Sequence, residues 1–160
     1  MKTEFIPYEH ALALKELVFD EPCFGYYVDG ELRGINLGIE ELGGVEPYYQ
    51  RFGFHTLSNH DIFNSNKIVV TAPTFSQAFR WFREKHGLYY HILPEFYTKG
   101  INFNWQIFWY LPKEEWTDFV ISDGTGLYGD NNEYPTQEDA EIACLNELIK
   151  IVKNKNESGV

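Results

Sequence analysis

Ile101-Asn102-Phe103-Asn104-Trp105-Gln106-Ile107-Phe108-Trp109-Tyr110-Leu111 alternates with period two along its whole length. Ile101, Phe103, Trp105, Ile107, Trp109 and Leu111 fall on one side, opposite Asn102, Asn104, Gln106, Phe108 and Tyr110. Successive side chains of a strand point to opposite faces, so this pattern predicts a strand with one buried face. Working outward, Leu88–Leu93 is dense in β-formers with Pro94 just past its end, and Trp116–Ser122 supplies a third strand with Phe119 and Ile121 on one side. The links 94–100 and 112–115 suit antiparallel hairpins.

Helices flank these strands. Thr74 and Gln77 have the spacing of a capping box, and the helix they open continues to about Lys85. Its stripe is Phe75, Ala78, Phe79 and Phe82, and His86-Gly87 gives the stop. Thr136 caps a last helix to about Lys153, with Glu138, Asp139 and Glu141 early and Lys150 and Lys153 late, as the helix dipole favours. Its apolar face is Cys144, Leu145, Leu148, Ile149 and Val152. The fold class is therefore α+β: an antiparallel sheet from a helix–strand–strand–strand–helix half, with both helices on one face.

The N-terminal half adds a helix over Pro7–Val18, with His10, Leu14, Leu17 and Val18 on one stripe, and a hairpin around Asp29-Gly30. Asp-Gly supplies the positive φ angles of a type I′ turn. Lys67–Thr71 reads as a short strand, whereas 39–66 has mixed character and no assigned element. At 160 residues the expectation is one domain over 1–153, followed by a polar flexible tail over 154–160.

Aromatic residues make up 18% of the chain, a composition that folds. No apolar run approaches the ~20 residues that span a bilayer, and Met1-Lys2-Thr3-Glu4 leads into no signal-type apolar stretch. Cys23 and Cys144 make no disulfide framework, so a cytoplasmic setting in a bacterial host cell is expected. The net charge is −11. Residues 1–50 hold ten acidic against three basic side chains, 101–160 eleven against four, and 51–100 three against six. An anionic surface disfavours direct nucleic-acid binding, which relies on Lys and Arg displacing counterions.

Gly124-Thr125-Gly126-Leu127-Tyr128-Gly129 spells GxGxxG. The motif works only where the glycines open a helix inside a parallel βαβ unit. Here an antiparallel strand precedes it and the next helix starts after Pro135, so it reads as a turn and no cofactor is expected. His55 and His60 with Asp61, and His86 and His91 with Glu95, lack a third histidine or cysteine at zinc spacing, so no metal is expected. A Cys–His nucleophile pair has no local signature, and neither a Walker A sequence nor a GxSxG elbow is present.

The basic middle offers the one binding constellation: Arg80, Trp81 and Arg83 on a helix, close in sequence to Tyr89 and His91. Trp81 lies off the phenylalanine stripe and is expected at the surface, where arginine and aromatic rings hold an anionic, stackable ligand. Tyr48-Tyr49, Phe108 and Tyr110 are a second set that suits a partner surface.

Residues 78–88 (Ala-Phe-Arg-Trp-Phe-Arg-Glu-Lys-His-Gly-Leu) and 138–145 (Glu-Asp-Ala-Glu-Ile-Ala-Cys-Leu) resemble small uncharacterised proteins of bacteriophages and prophages of gut bacteria. Residues 8–17 (Tyr-Glu-His-Ala-Leu-Ala-Leu-Lys-Glu-Leu) and 21–27 (Glu-Pro-Cys-Phe-Gly-Tyr-Tyr) extend the likeness, and 36–66 is least like them. The resemblance brings no activity or site residues. It implies an accessory protein of a mobile element, a class that often binds host components. The element order is also similar to double-stranded-RNA-binding domains, but the last helix begins acidic where those use basic residues against phosphate.

The function expected is thus a noncatalytic, phage-type accessory protein binding a host protein or a small anionic ligand. The alternatives are a small hydrolase-like enzyme for a nucleotide-like substrate, using histidines of 55–61 or 86–91, and an acidic mimic of nucleic acid.

Overall fold

The structure, a computed structural model, describes residues 4–33, 58–59, 67–98, 100–109, 120–122 and 133–158. The chain divides into two compact units, Met1–Ala78 and Phe79–Val160. Each has its own three-stranded antiparallel sheet.

In the first unit, α1 (Tyr8–Glu16) precedes β1 (Gly25–Val28), β2 (Glu31–Arg33) and β3 (Val69–Ala72), arranged β2-β1-β3. Asp29 and Gly30 turn β1 into β2 with φ of 48° and 86°, the type I′ turn that their sequence predicts. The hairpin pairs with β3 from Gly25↔Ala72 to Val28↔Val69, so the strand expected at Lys67–Thr71 starts and ends slightly later. Every residue of β1 and β3 is buried, so both faces of this pair are covered. Tyr27 sends its hydroxyl to the Ile6 carbonyl at 2.6 Å, and burial pushes its phenol pKa up.

α1 is shorter than the expected Pro7–Val18. It buries Ala11, Leu14 and Leu17, and Val18 falls outside that stripe, 79% exposed at φ +66°. The reason lies in how the helix stops. Val18 N–H donates to Lys15 O (3.0 Å) and Phe19 N–H to Leu14 O (2.9 Å), the paired bonds of a Schellman ending. That ending puts Val18 in the left-handed position, and Phe19 after it is buried in the core.

α2 (Phe75–His86) runs through the division between the units. Its capping box forms as expected: Gln77 N–H donates to Thr74 Oγ1 at 3.2 Å, and Thr74 N–H to Gln77 Oε1 at 3.0 Å. Phe75, Ala78, Phe79 and Phe82 are buried, and Gly87 closes the helix at φ +66°.

The second unit orders β4 (Leu88–Tyr97), β5 (Gly100–Trp109) and β6 (Val120–Ser122) as β4-β5-β6, followed by α3 (Gln137–Ser158). β4 and β5 pair without interruption from Leu88↔Trp109 to Tyr97↔Gly100. β4 therefore runs through Pro94 instead of stopping before it. Pro94 faces Phe103, and the Phe103 N–H and C=O both bond Tyr134 on the other side, at 2.8 and 2.9 Å. The pair is a non-hydrogen-bonded one, and the missing proline N–H is required by no ladder bond. Of the third predicted strand, Val120–Ser122 is described and pairs with Phe108–Gln106; its earlier part and the GxGxxG stretch lie outside the described residues.

One face of this sheet carries Tyr90, Ile92, Phe103, Trp105 and Ile107. α3 packs on β4 and β5, burying Ala140, Cys144, Leu145, Leu148, Ile149 and Val152. Phe79 of α2 stacks on Tyr90 with ring centroids 3.8 Å apart. Burial, and after it Glu141 and Cys144, push the Tyr90 phenol pKa up, while Arg83 pulls the other way. Thr136 Oγ1 caps α3 by accepting from Asp139 N–H at 3.1 Å. α3 continues past the expected end at Lys153 to Ser158, because no proline or glycine intervenes before Gly159.

Candidate functional site

Alternation places Tyr89, His91, Leu93, Glu95 and Tyr97 of β4 on the sheet face turned away from Tyr90 and Ile92. Asn102, Asn104, Gln106 and Phe108 lie opposite them in register, on the same face. This face mixes aromatic rings with amides and carboxylates. Tyr89 is 45% exposed and Tyr97 46%. His91 meets Phe108 edge-on, with centroids 4.7 Å apart.

Its polar end is a cluster of five side chains. The Tyr97 hydroxyl contacts Glu95 Oε2 at 2.5 Å and Glu133 Oε1 at 2.6 Å. Asn104 Nδ2 donates to Glu95 Oε1 at 2.5 Å, and Asn102 Nδ2 donates to Glu133 Oε2. Each of the four carboxylate oxygens is thus met by an uncharged group. Hydrogen bonding to Glu133, then to Glu95, holds the Tyr97 pKa far above the usual phenol range. Asn104 is 4% exposed, and its Oδ1 has no hydrogen-bond partner.

The five residues expected to bind a ligand do not form one site. Arg80 and Arg83 are exposed on α2, with Arg83 3.8 Å from Glu84. Trp81 is a correction: it is 3% exposed, not at the surface, and packs edge-on against Phe82 (5.0 Å) and His86 (4.6 Å). One helix turn covers more than a single stripe when neighbours close over it, and an indole supplies area that a narrow phenylalanine stripe leaves open. Tyr89 and His91 occupy the face opposite Tyr90, whereas α2 stacks on Tyr90 through Phe79. The residue between them in sequence, Tyr90, is the one that turns toward α2.

Burial, then Lys155, push the His86 imidazole pKa down, and its Nε2 is buried without a partner. His55, His60, Asp61, Tyr48, Tyr49 and Tyr110 lie outside the described residues. Among the described residues, no group of three or more His, Cys, Asp or Glu comes together as metal ligands. No helix among them is long and apolar enough to cross a membrane.

Sequence reasoning missed Tyr97, Asn102, Asn104 and Glu133 as a group. One signal was available: asparagines at two successive polar positions of the central strand, with a glutamate on its hairpin partner. Glu133 joins from 31 residues beyond Asn102, a distance no local pattern spans. Comparison with family models, with curated proteins and with solved structures finds no match to this chain.

Proposed function

We propose that this chain is a noncatalytic, phage-type accessory protein that engages a host protein through the β4–β5 hairpin. The supporting observation is where its exposed apolar surface lies. Of the eight large hydrophobic residues that stand exposed among the described residues, Tyr89, Leu93, Phe96, Tyr97 and Ile101 belong to this one hairpin. Phe96 is 77% exposed and its register partner Ile101 47%, on the sheet face opposite Tyr89, Leu93 and Tyr97, so the hairpin shows apolar surface on both sides. Exposed aromatic and aliphatic side chains grouped with polar neighbours are the composition of partner-binding surfaces. β4 is also the sheet's outer strand among the described residues, and an outer strand offers backbone groups for a partner to pair with.

A protein partner fits better than a small anionic ligand. Trp81 is buried and cannot stack on a ligand, and Arg80 and Arg83 are not gathered with Tyr89 and His91. The phage assignment rests on the likeness at residues 8–17, 21–27, 78–88 and 138–145.

The test is affinity capture from bacterial lysate with the wild-type chain, Phe96→Ser/Ile101→Ser, and Phe24→Ser as a control at an exposed residue elsewhere. The wild type and Phe24→Ser should retain the same stoichiometric partner, and the hairpin variant should lose it. Equal capture by all three, or no partner on the wild type, would overturn the reading.

A further inference from the structure

We propose that the outer edge of β4 is a self-association surface. A second copy of this chain adds its own β4 there, antiparallel, about a two-fold axis at Leu93. This goes beyond the host-partner reading and does not depend on it, because the pairing occupies the edge of β4 and leaves Ile101 on β5 open.

The first observation is which backbone groups β4 holds away from its neighbour. Phe103 turns its N–H and C=O to Tyr134, so its register partner Pro94 turns its backbone away from β5. Alternation gives Tyr90, Ile92 and Phe96 the same orientation, and no strand lies beyond β4 among the described residues. Outward N–H and C=O groups along a sheet edge are a template for another strand. The exposed side chains agree: Tyr89, Leu93 and Tyr97 stand on one side of the sheet and Phe96 on the other. A partner resting on either face covers one set, whereas a strand added at the edge lies alongside both.

The second observation selects the occupant. Tyr89-Tyr90-His91-Ile92-Leu93-Pro94-Glu95-Phe96-Tyr97 carries matching chemistry in both directions from Leu93. In an isologous pair centred there, each residue meets its counterpart twice over. On one face Tyr89 lies opposite Tyr97, His91 opposite Glu95, and Leu93 opposite itself. On the other, Tyr90 lies opposite Phe96 and Ile92 opposite Pro94. Aromatic pairs and pairs of opposite charge are the cross-strand neighbours that stabilise sheets. Glu95 has room for an imidazole donor: a carboxylate offers about four acceptor positions, and Tyr97 and Asn104 take two.

The same register satisfies the edge. Tyr90 and Phe96 exchange N–H to C=O bonds in both directions, and Ile92 N–H donates to Pro94 O, each repeated by symmetry. Pro94 lacks only the return bond. An axis at Ile92 would instead set Glu95 against Tyr89 and His91 against Leu93. An axis at Pro94 would place two residues without an N–H at the centre.

The test is oxidative cross-linking and sedimentation of the full chain. Leu93→Cys sets two thiols in a non-hydrogen-bonded pair with Cα atoms about 4.5 Å apart, within the span a disulfide bridges. It should be trapped as a covalent dimer. Tyr89→Cys should not, because its own counterpart is offset by the span from 89 to 97, roughly 27 Å at ~3.4 Å per residue. Cys23 and Cys144 are buried, and the wild type should not cross-link. Without oxidant, sedimentation velocity at ~100 µM, well above the ~1 µM weak end of standard-size interfaces, should give the wild type twice the chain mass. His91→Glu, which sets like charges opposite each other at both symmetry-related positions, should weaken association about tenfold. His91→Lys and Ile101→Ser should keep it, and circular dichroism checks that each variant folds. A wild type that stays monomeric at ~100 µM would overturn the proposal. So would equal cross-linking by the two cysteine variants, or equal weakening by His91→Glu and His91→Lys. Loss of the dimer in Ile101→Ser would do the same, by moving the contact from the edge to the sheet face.

Discussion

Pro94 and Phe103 face each other across β4 and β5 with no hydrogen bond between them, because Phe103 spends its backbone groups on Tyr134. The position tolerates proline for that reason alone. Pro94→Val should therefore change stability by no more than ~0.5 kcal/mol. Leu93 is one residue away, opposite Asn104, where alternation requires ladder bonds to β5. Leu93→Pro should cost about 1–3 kcal/mol, since it removes the donor that the buried Asn104 backbone carbonyl needs. Urea melts of the two variants test the register, and a comparable loss in both would contradict it.

Val18 is a β-branched residue in the left-handed position that ends α1, and it is 79% exposed. A left-handed backbone costs an L-residue roughly 1–2 kcal/mol, which glycine avoids, although glycine adds entropy to the unfolded chain. Little burial is lost on replacement. Val18→Gly should raise stability by about 0.5–1 kcal/mol, and a fall in the urea midpoint would show that the Schellman ending is wrongly placed.

The difference between what the sequence disclosed and what it withheld follows range. Local chemistry was legible: Thr74 with Gln77, Thr136, Asp29-Gly30 and Gly87 each act within four residues, and each does what its type predicts. The alternation of β5 located the buried Trp105 and Ile107, but not that Ile101 on the same side is 47% exposed, because burial depends on how far a covering helix reaches. Pro94 misled because its cost depends on which partner residue it meets. Trp81 misled because a helix's buried arc widens with what packs on it. The acidic cluster was illegible for the same reason: Glu95, Asn104 and Glu133 share a site through strand register, and register is not a property of any one segment.

Asn59 links two parts of the first unit that local sequence does not connect. Its Nδ2 donates to Phe19 O at 2.9 Å, and its Oδ1 accepts from Thr71 N–H at 3.1 Å. Phe19 is 1% exposed and Thr71 is fully buried, so the two backbone groups have little access to water as a substitute. Asn59→Ala should cost about 1–3 kcal/mol, the desolvation penalty of groups left unpaired. Asn59→Asp keeps the acceptor but sets a charged oxygen against the Phe19 carbonyl, so at pH 7 it should be no more stable than alanine. Chemical denaturation of the three proteins orders them, and an alanine variant as stable as wild type would show that water replaces both bonds.

His86 should make stability depend on pH near neutrality. Its ring lies against Trp81 and Phe82, its Nε2 is buried without a partner, and burial followed by Lys155 lowers its pKa from 6.5. The folded state therefore prefers the neutral imidazole. Below pH 6.5 the unfolded chain takes up a proton that the folded chain declines, so unfolding is favoured as pH falls. The contribution is complete above 6.5 and is lost across the window between 6.5 and the lower folded value. His86→Phe keeps a flat ring against Trp81 and removes the titration. Carboxylates titrating at lower pH are common to both proteins and cancel in the comparison. Urea midpoints measured from pH 8 down to about 5.5 should thus show the variant gaining on the wild type only once the pH drops through about 6.5. A difference that stays constant across the series would mean that His86 is protonated as readily in the folded chain as in the unfolded one.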